Sequence, residues 1–182
     1  YDFFGPELVQ PVPESLDGPW YISCDYGTVN PTSMGLWGQK GGVWYRTAEF
    51  YYDSRKTGRQ QTDGEYADDL ARLAGGRDIR GVVLDPEELI RRGWMVYRAE
   101  NEVLSGIRRT AELLRAGQLV ICSPCEDAIR EFGLYRWDTA ATGDRVVKEH
   151  DHAMDDIRYF AVTVAGRRSE GFFAGAVERG GG

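Results

Sequence analysis

Between Trp20 and Tyr52 the chain carries three strand-like runs, the last of them long and aromatic, joined by short connections. The runs are about Trp20 to Cys24, Thr32 to Gly38 and Val43 to Tyr52, with a Gly41-Gly42 turn between the last two. Parallel neighbours need a crossover of a dozen or more residues, so three strands spaced this closely form an antiparallel meander. The pattern then changes to alternating helices and strands. A polar loop with Arg55, Lys56 and Arg59 leads to Thr62-x-x-Glu65, the spacing of a capping box, which opens a helix to about Ala74 before Gly75-Gly76. An apolar run from Ile79 to Leu84 follows, then a short helix from Glu87 to Arg92 and a strand from Trp94 to Tyr97. Asn101 caps a helix over Glu102 to Ala116, with Val103, Leu104, Ile107, Ala111 and Leu114 on one face. A strand from Leu119 to Cys122, a helix from Cys125 to Phe132 and a last helix from Asp151 to Val164 complete the order. A meander followed by β-α units predicts an α/β fold: a mixed sheet with helices on both faces.

The length of 182 residues suits one domain with a full core. Residues 1–19 hold Pro6, Pro11, Pro13 and Pro19 without periodicity, and read as a linker or a surface arm. Residues 20–165 form the folded domain, and residues 166–182 a Gly-rich, partly mobile tail. No apolar run approaches the roughly 18 residues of a membrane span, and no signal peptide is evident. The chain opens on Tyr1 and not on Met, as expected of a domain cut from a longer protein.

Two apolar strands end on acids. Trp20 to Cys24 runs into Asp25, with Gly27 two residues on, and Ile79 to Leu84 runs into Asp85. A third acidic cluster, Asp151, Asp155 and Asp156 with His152, opens the last helix. An Asp at a strand end often only starts a turn, and one at a helix start often only favours the dipole. Yet strands one and four can lie side by side with their C-terminal ends together. Asp25, Asp85 and one of Asp155 or Asp156 would then converge at one sheet edge. Carboxylate oxygens suit hard divalent cations, and two such ions about 4 Å apart can drive phosphodiester cleavage. At 100° per residue His152, Asp155, Asp156 and Tyr159 share one side of the helix, so periodicity does not choose between the two acids.

The net charge of −7 is unusual for a protein that touches nucleic acid. DNA contact would need local basic patches, and two loops offer them: Arg55, Lys56 and Arg59, and Arg145 with Lys148. The three cysteines, without a secretory signal, point to reduced thiols. Cys122-Ser-Pro-Cys125 is superficially a redox motif, but buried inert thiols are the simpler reading.

The segments YISCDYGTVNPTSMGLWG, VVLDPE, AENEVLSGIRRTAELLRAGQL, CEDAIREFGLYRWD and VVKEHDHAMDDIRYF stand in an order that resembles the C-terminal nuclease domain of the large terminase subunit of tailed bacteriophages. The resemblance covers about residues 20 to 165, and its most specific piece is DHAMDDIRYF, close to the family's DHAxDAxRY. It implies an RNase H-like fold and a two-metal endonuclease, with Mg²⁺ or Mn²⁺, that cuts concatemeric double-stranded viral DNA during packaging in the host bacterial cytoplasm. It implies Asp25, Asp85 and Asp155 as ligands, with His152 one turn before the third. Asp156 stands where the family usually has a small residue, and is either a spectator or a ligand in one metal state. Implied partners are an ATPase domain, the small terminase subunit and the portal. No G-x-x-x-x-G-K-[ST] occurs in the chain. Two other readings compete. DYGTVN is similar to the phosphate-binding turn of actin-like and chaperone-type ATPases, although those need a second phosphate loop. A non-catalytic module that docks DNA or a motor would keep the fold without needing every acid.

Overall fold

The computed structural model describes residues 1, 3–27, 30–84, 93–99, 102–138 and 145–166. Among these the elements are β1 (Val9–Gln10), β2 (Trp20–Asp25), β3 (Thr32–Lys40), β4 (Val43–Tyr52), α1 (Ser54–Thr57), α2 (Asp63–Ala74), β5 (Ile79–Val83), β6 (Val96–Tyr97), α3 (Val103–Arg115), β7 (Leu119–Cys122), α4 (Glu126–Leu134) and α5 (His152–Phe160). The seven strands form one sheet in the order β1-β7-β4-β3-β2-β5-β6. β2, β3 and β4 are the antiparallel meander, while β5 lies parallel beside β2 and β7 parallel beside β4. The mixed sheet is therefore as the sequence pattern predicts, with β2 and β5 ending on the same side.

Strand alternation sorts the side chains onto two faces. Ile22, Cys24, Met34, Leu36, Val82 and Leu84 pack with Tyr66, Ala67 and Leu70 of α2 on one side. Tyr21, Trp37, Trp44, Val83 and Ile121 pack with α3, α4 and α5 on the other. Phe160 of α5 is the centre of that second layer, stacked on Trp37 at 4.1 Å between centroids and edge-on to Trp44 at 5.2 Å.

Local signals explain most boundaries. Thr62 and Glu65 make the reciprocal capping box, and Gly75 closes α2 at φ 58°. α3 starts one residue later than the pattern suggests, with the Glu102 side chain accepting from Ser105 N–H. α5 ends at Phe160 and passes into a π-helical turn, Ala161–Ala165. Two pieces have no sequence signal of their own. Val9–Gln10, inside the Pro-rich arm, adds an edge strand parallel to β7, and Tyr1 and Phe4 pack on Phe132 at 5.2 and 3.8 Å. α1 is a single turn capped by Asp53. The helix expected over residues 87–92 and the tail from 167 on lie outside the described residues, as does Asn101.

β4 carries one irregularity that matters below. Leu36 pairs with Ala48 but Trp37 pairs with Arg46, so Thr47 is an extra residue in the ladder. Arg46 and Glu49, three apart, would face opposite sides of a regular strand. The bulge puts both on the α5 side, where they form an ion pair at 3.4 Å.

Cys24, Cys122 and Cys125 are buried free thiols. Burial pushes Cys122 up to about 11 and Cys125 up to about 12, and Cys125 Sγ donates to the Arg46 carbonyl at 3.3 Å. These are packed thiols with negligible thiolate at neutral pH.

Phe160→Ala removes the ring at the centre of the α5 layer, and urea unfolding is expected to show a loss of about 3–5 kcal/mol.

Candidate active site

Asp25 is the last residue of β2, and alternation from Tyr21 and Ser23 turns it toward the α5 face. Its Oδ2 lies 2.8 Å from Nδ1 of His152, at the start of α5 and 127 residues away. One turn on, Asp155 is fastened from two sides. Arg158 donates to Oδ1 from Nε at 3.3 Å and Nη2 at 3.0 Å, and Lys148 Nζ donates to Oδ2 at 3.2 Å. The same ammonium lies 3.1 Å from Asp151 Oδ2. The turn into α5 passes through His150 at φ 55°, a left-handed conformation that His tolerates better than most residues.

These groups open into a cleft of about 570 Å³ lined by Asp25, Tyr26, Gly27, Tyr51, His152 and Asp155, with Arg55, Lys56, Arg130 and Lys148 as cations on its walls. Three of the five predicted DNA contacts, Arg55, Lys56 and Lys148, are thus at the cleft. Arg59 is not on its lining; it is exposed and pairs with Glu65. Arg145 is not on the lining either. Arg130 was not signalled by the sequence, because its place depends on how α4 packs. Arg158 was legible in principle: it stands three residues after Asp155 on one helix, a spacing that brings side chains together.

The two acids of α5 part company here. Asp155 faces the cleft, whereas Asp156 is fully buried beneath it, against β2, β3 and β4. Ser23 Oγ donates to its Oδ1 at 2.7 Å, Ser33 Oγ donates to Oδ2, and Arg46 donates to both oxygens, from Nη2 to Oδ2 at 3.0 Å. Asp85 lies outside the described residues.

The electrostatics follow from crowding. Burial pushes the Asp25 carboxyl above its ordinary value, the His152 hydrogen bond draws it back, and the charges of Asp155 and Asp156 push it further up. Burial pulls the His152 imidazolium down, but the bond to Asp25 and the charges of Asp25, Asp151 and Glu131 outweigh it, and the net direction is up.

Among the described residues no three carboxylate, imidazole or thiol groups are gathered closely enough to hold a metal ion. The donors at the cleft nonetheless fit a hard cation. They are carboxylate oxygens, the half-open cleft has room for retained water, and the Lys148 ammonium already stands in as the cation on Asp155 Oδ2.

His152 and Asp25 both gain proton affinity on folding, so their contribution to stability is present at low pH and lost as pH rises through the folded values. In EDTA the melting temperature should therefore fall between about pH 6 and pH 8, and His152→Gln should flatten that slope.

No family model matches the chain, and no curated protein does. Solved structures do. The large terminase of a thermophilic bacteriophage, in complex with ADP, is 39% identical over 90% of this chain and 44% of its own, with a TM-score of 0.85. The chain thus spans less than half the length of that relative. The nuclease domain of the P22 large terminase aligns over 87% of this chain and 88% of its own at 18% identity and a TM-score of 0.65. The large terminase nuclease of the thermophilic phage G20c, solved with bound magnesium, aligns over 86% of this chain and 93% of its own at 14% identity and a TM-score of 0.64. The last two likenesses bear on the fold, which is that of the terminase nucleases.

Proposed function

Because the chain belongs to the large terminases of bacteriophages, in which it corresponds to the nuclease domain, we propose that it is a metal-dependent endonuclease that cuts concatemeric double-stranded viral DNA during genome packaging. The observation that carries this reading is the meeting of Asp25 with His152 and Asp155, from opposite ends of the chain, in a cleft walled by Arg55, Lys56, Arg130 and Lys148. Asp25, Asp85 and Asp155 are the metal ligands. Asp85 is included because it follows β5, which lies parallel to β2 with Ser23 opposite Val83. Two bound Mg²⁺ or Mn²⁺ ions would activate the attacking water and neutralise charge on the scissile phosphate.

The chain's own residues do the rest. Arg158 holds Oδ1 of Asp155 and so leaves Oδ2 toward the cleft, where Lys148 must yield to an incoming ion. His152 orients Asp25 and keeps one of its oxygens occupied. Arg55, Lys56, Arg130 and Lys148 contact phosphates of the duplex, with Arg suited to two-pronged binding. Asp156, with both oxygens taken by Ser23, Ser33 and Arg46, holds the helix and does not bind metal. The partners of this reading are double-stranded DNA, an ATPase domain, the small terminase subunit and the portal, in the cytoplasm of the infected host. Among the described residues no helix is long and apolar enough to cross a membrane.

A plasmid-cleavage assay with Mn²⁺, Mg²⁺ or EDTA tests the reading. Cleavage is expected with either ion, none in EDTA, and none from Asp25→Ala or Asp155→Asn. Activity that survives EDTA, or a full-rate Asp155→Asn, would rule it out, and a chain that binds the plasmid but cuts it with neither ion would leave DNA docking as the role of the cleft.

Charge reversal at Arg55 and Lys56 tests the walls separately. It should weaken DNA binding at low salt and reduce the salt slope by about one unit for each phosphate that is no longer bound. An unchanged slope would place the duplex elsewhere.

A further inference from the structure

Asp156 and Arg46 are both fully buried, and their ion pair is not part of the cleft. A buried ion pair is weak as a source of stability, because desolvating both charges offsets most of their attraction. Its geometry, however, is narrow. Four donors converge on the two Asp156 oxygens: Ser23, Ser33 and two guanidinium nitrogens of Arg46. Ser23 is itself fixed by Trp37 Nε1 at 2.8 Å. The guanidinium has room because residue 35 is Gly; a Cβ there would fall on it.

The network does not stop at Arg46. Its Nη2 lies 3.4 Å from Glu49, which the Thr47 bulge brings to the same face. Glu49 in turn accepts the first amides of α4, Asp127 N–H at 2.6 Å and Ala128 N–H at 3.2 Å. Further along α4 the buried Glu131 accepts from Tyr51 Oη at 2.6 Å and from Ala153 N–H of α5 at 2.7 Å. The polar chain therefore grips α5 at two points, the Asp156 side chain and the Ala153 amide. Each point is the sequence neighbour of a site residue: Asp156 adjoins Asp155, and Ala153 adjoins His152.

We propose that Asp156 and Arg46 are positioning residues: their buried pair sets the rotation and height of α5 on the sheet, so that Asp155 and His152 face Asp25. An apolar pair could hold the helix as firmly, but would leave it free to settle in more than one register. The proposal rests on the metal-dependent reading above, since it is metal affinity that a misplaced Asp155 would lose.

The test uses Mn²⁺ affinity by calorimetry and the melting temperature in EDTA, measured on the same chain. Arg46→Met with Asp156→Leu removes both charges of the pair and leaves Glu49 only its two α4 amides, so it should fold with a melting temperature lowered no more than that of Phe160→Val, yet bind Mn²⁺ at least about tenfold more weakly, as loss of an outer-shell positioning group does. Arg46→Lys keeps the charge and loses the fork, and should also weaken Mn²⁺ binding; it carries the test if the double variant does not fold. Phe160→Val loosens the same helix without touching the pair, and should lower the melting temperature while leaving Mn²⁺ affinity unchanged. A folded Arg46→Lys or double variant with wild-type affinity overturns the proposal. So does Phe160→Val losing affinity in step with its melting temperature. A wild-type chain that binds no Mn²⁺ removes the metal-dependent reading itself, and the proposal with it.

Discussion

A carboxylate with no exposure to water has to be neutralised where it sits, and the Asp156–Arg46 pair meets that requirement in the middle of the α5 face of the sheet. Much of the surrounding structure is shaped by it. Position 35 has no side chain, Ser23 and Ser33 take the places where an apolar strand would carry Val or Ile, and β4 bulges so that Glu49 can share the guanidinium. The Trp37 ring, itself stacked on Phe160, then lies against the Arg46 guanidinium at 5.7 Å. Large apolar burial supplies the driving force for packing α5, while the polar pair supplies directionality that apolar contacts lack.

The cleft above this floor is an electrostatic compromise. A chain of net charge −7 places Arg55, Lys56, Arg130 and Lys148 around a group of acids, and several of these cations are already engaged. Arg130 pairs with Asp127 at 2.8 Å and lies over the Tyr51 ring, and Lys148 bridges Asp151 and Asp155. Such pairs near the surface are weak and are exchanged readily for a stronger partner. Engaged cations therefore keep the acids from repelling one another in the metal-free protein, and remain available to a polyanion that brings its own charge.

Most of the scaffold was legible in the sequence because its signals are local. Short connections forced the meander, Thr62 with Glu65 placed the start of α2, and apolar runs ending on acids pointed to the sheet edge where Asp25 is found. What could not be read depends on contacts between distant residues. Val9–Gln10 is a strand because β7 has a free edge beside it, which no propensity in a Pro-rich arm reveals. Asp155 and Asp156 are one step apart on a helix, and periodicity gave both to the same side. Only Ser23, Ser33 and Arg46, more than a hundred residues earlier, separate the acid that faces the cleft from the acid that faces the core. Asp85 was read from the same kind of signal as Asp25 and lies outside the described residues.

The bulge at Thr47 also bears on how such a chain can drift in length. Side chains on a strand alternate, so removing one residue from a regular strand exchanges inside for outside along everything beyond it. β4 already contains one such exchange. The segment up to Arg46 and the segment from Ala48 are out of phase, and the sheet accepts this because each half faces its own partners. Because Thr47 is the extra residue, deleting it would restore simple alternation and leave Arg46 and Glu49 on the α5 layer and Ala48, Phe50 and Tyr52 on the α2 layer. Removing Thr47 therefore costs the local bend and one buried side chain, whereas removing a residue from the regular ladder of β2 and β3 would re-sort a strand. Length can therefore drift by one residue at this point in the chain, a freedom more usual in loops than inside a strand.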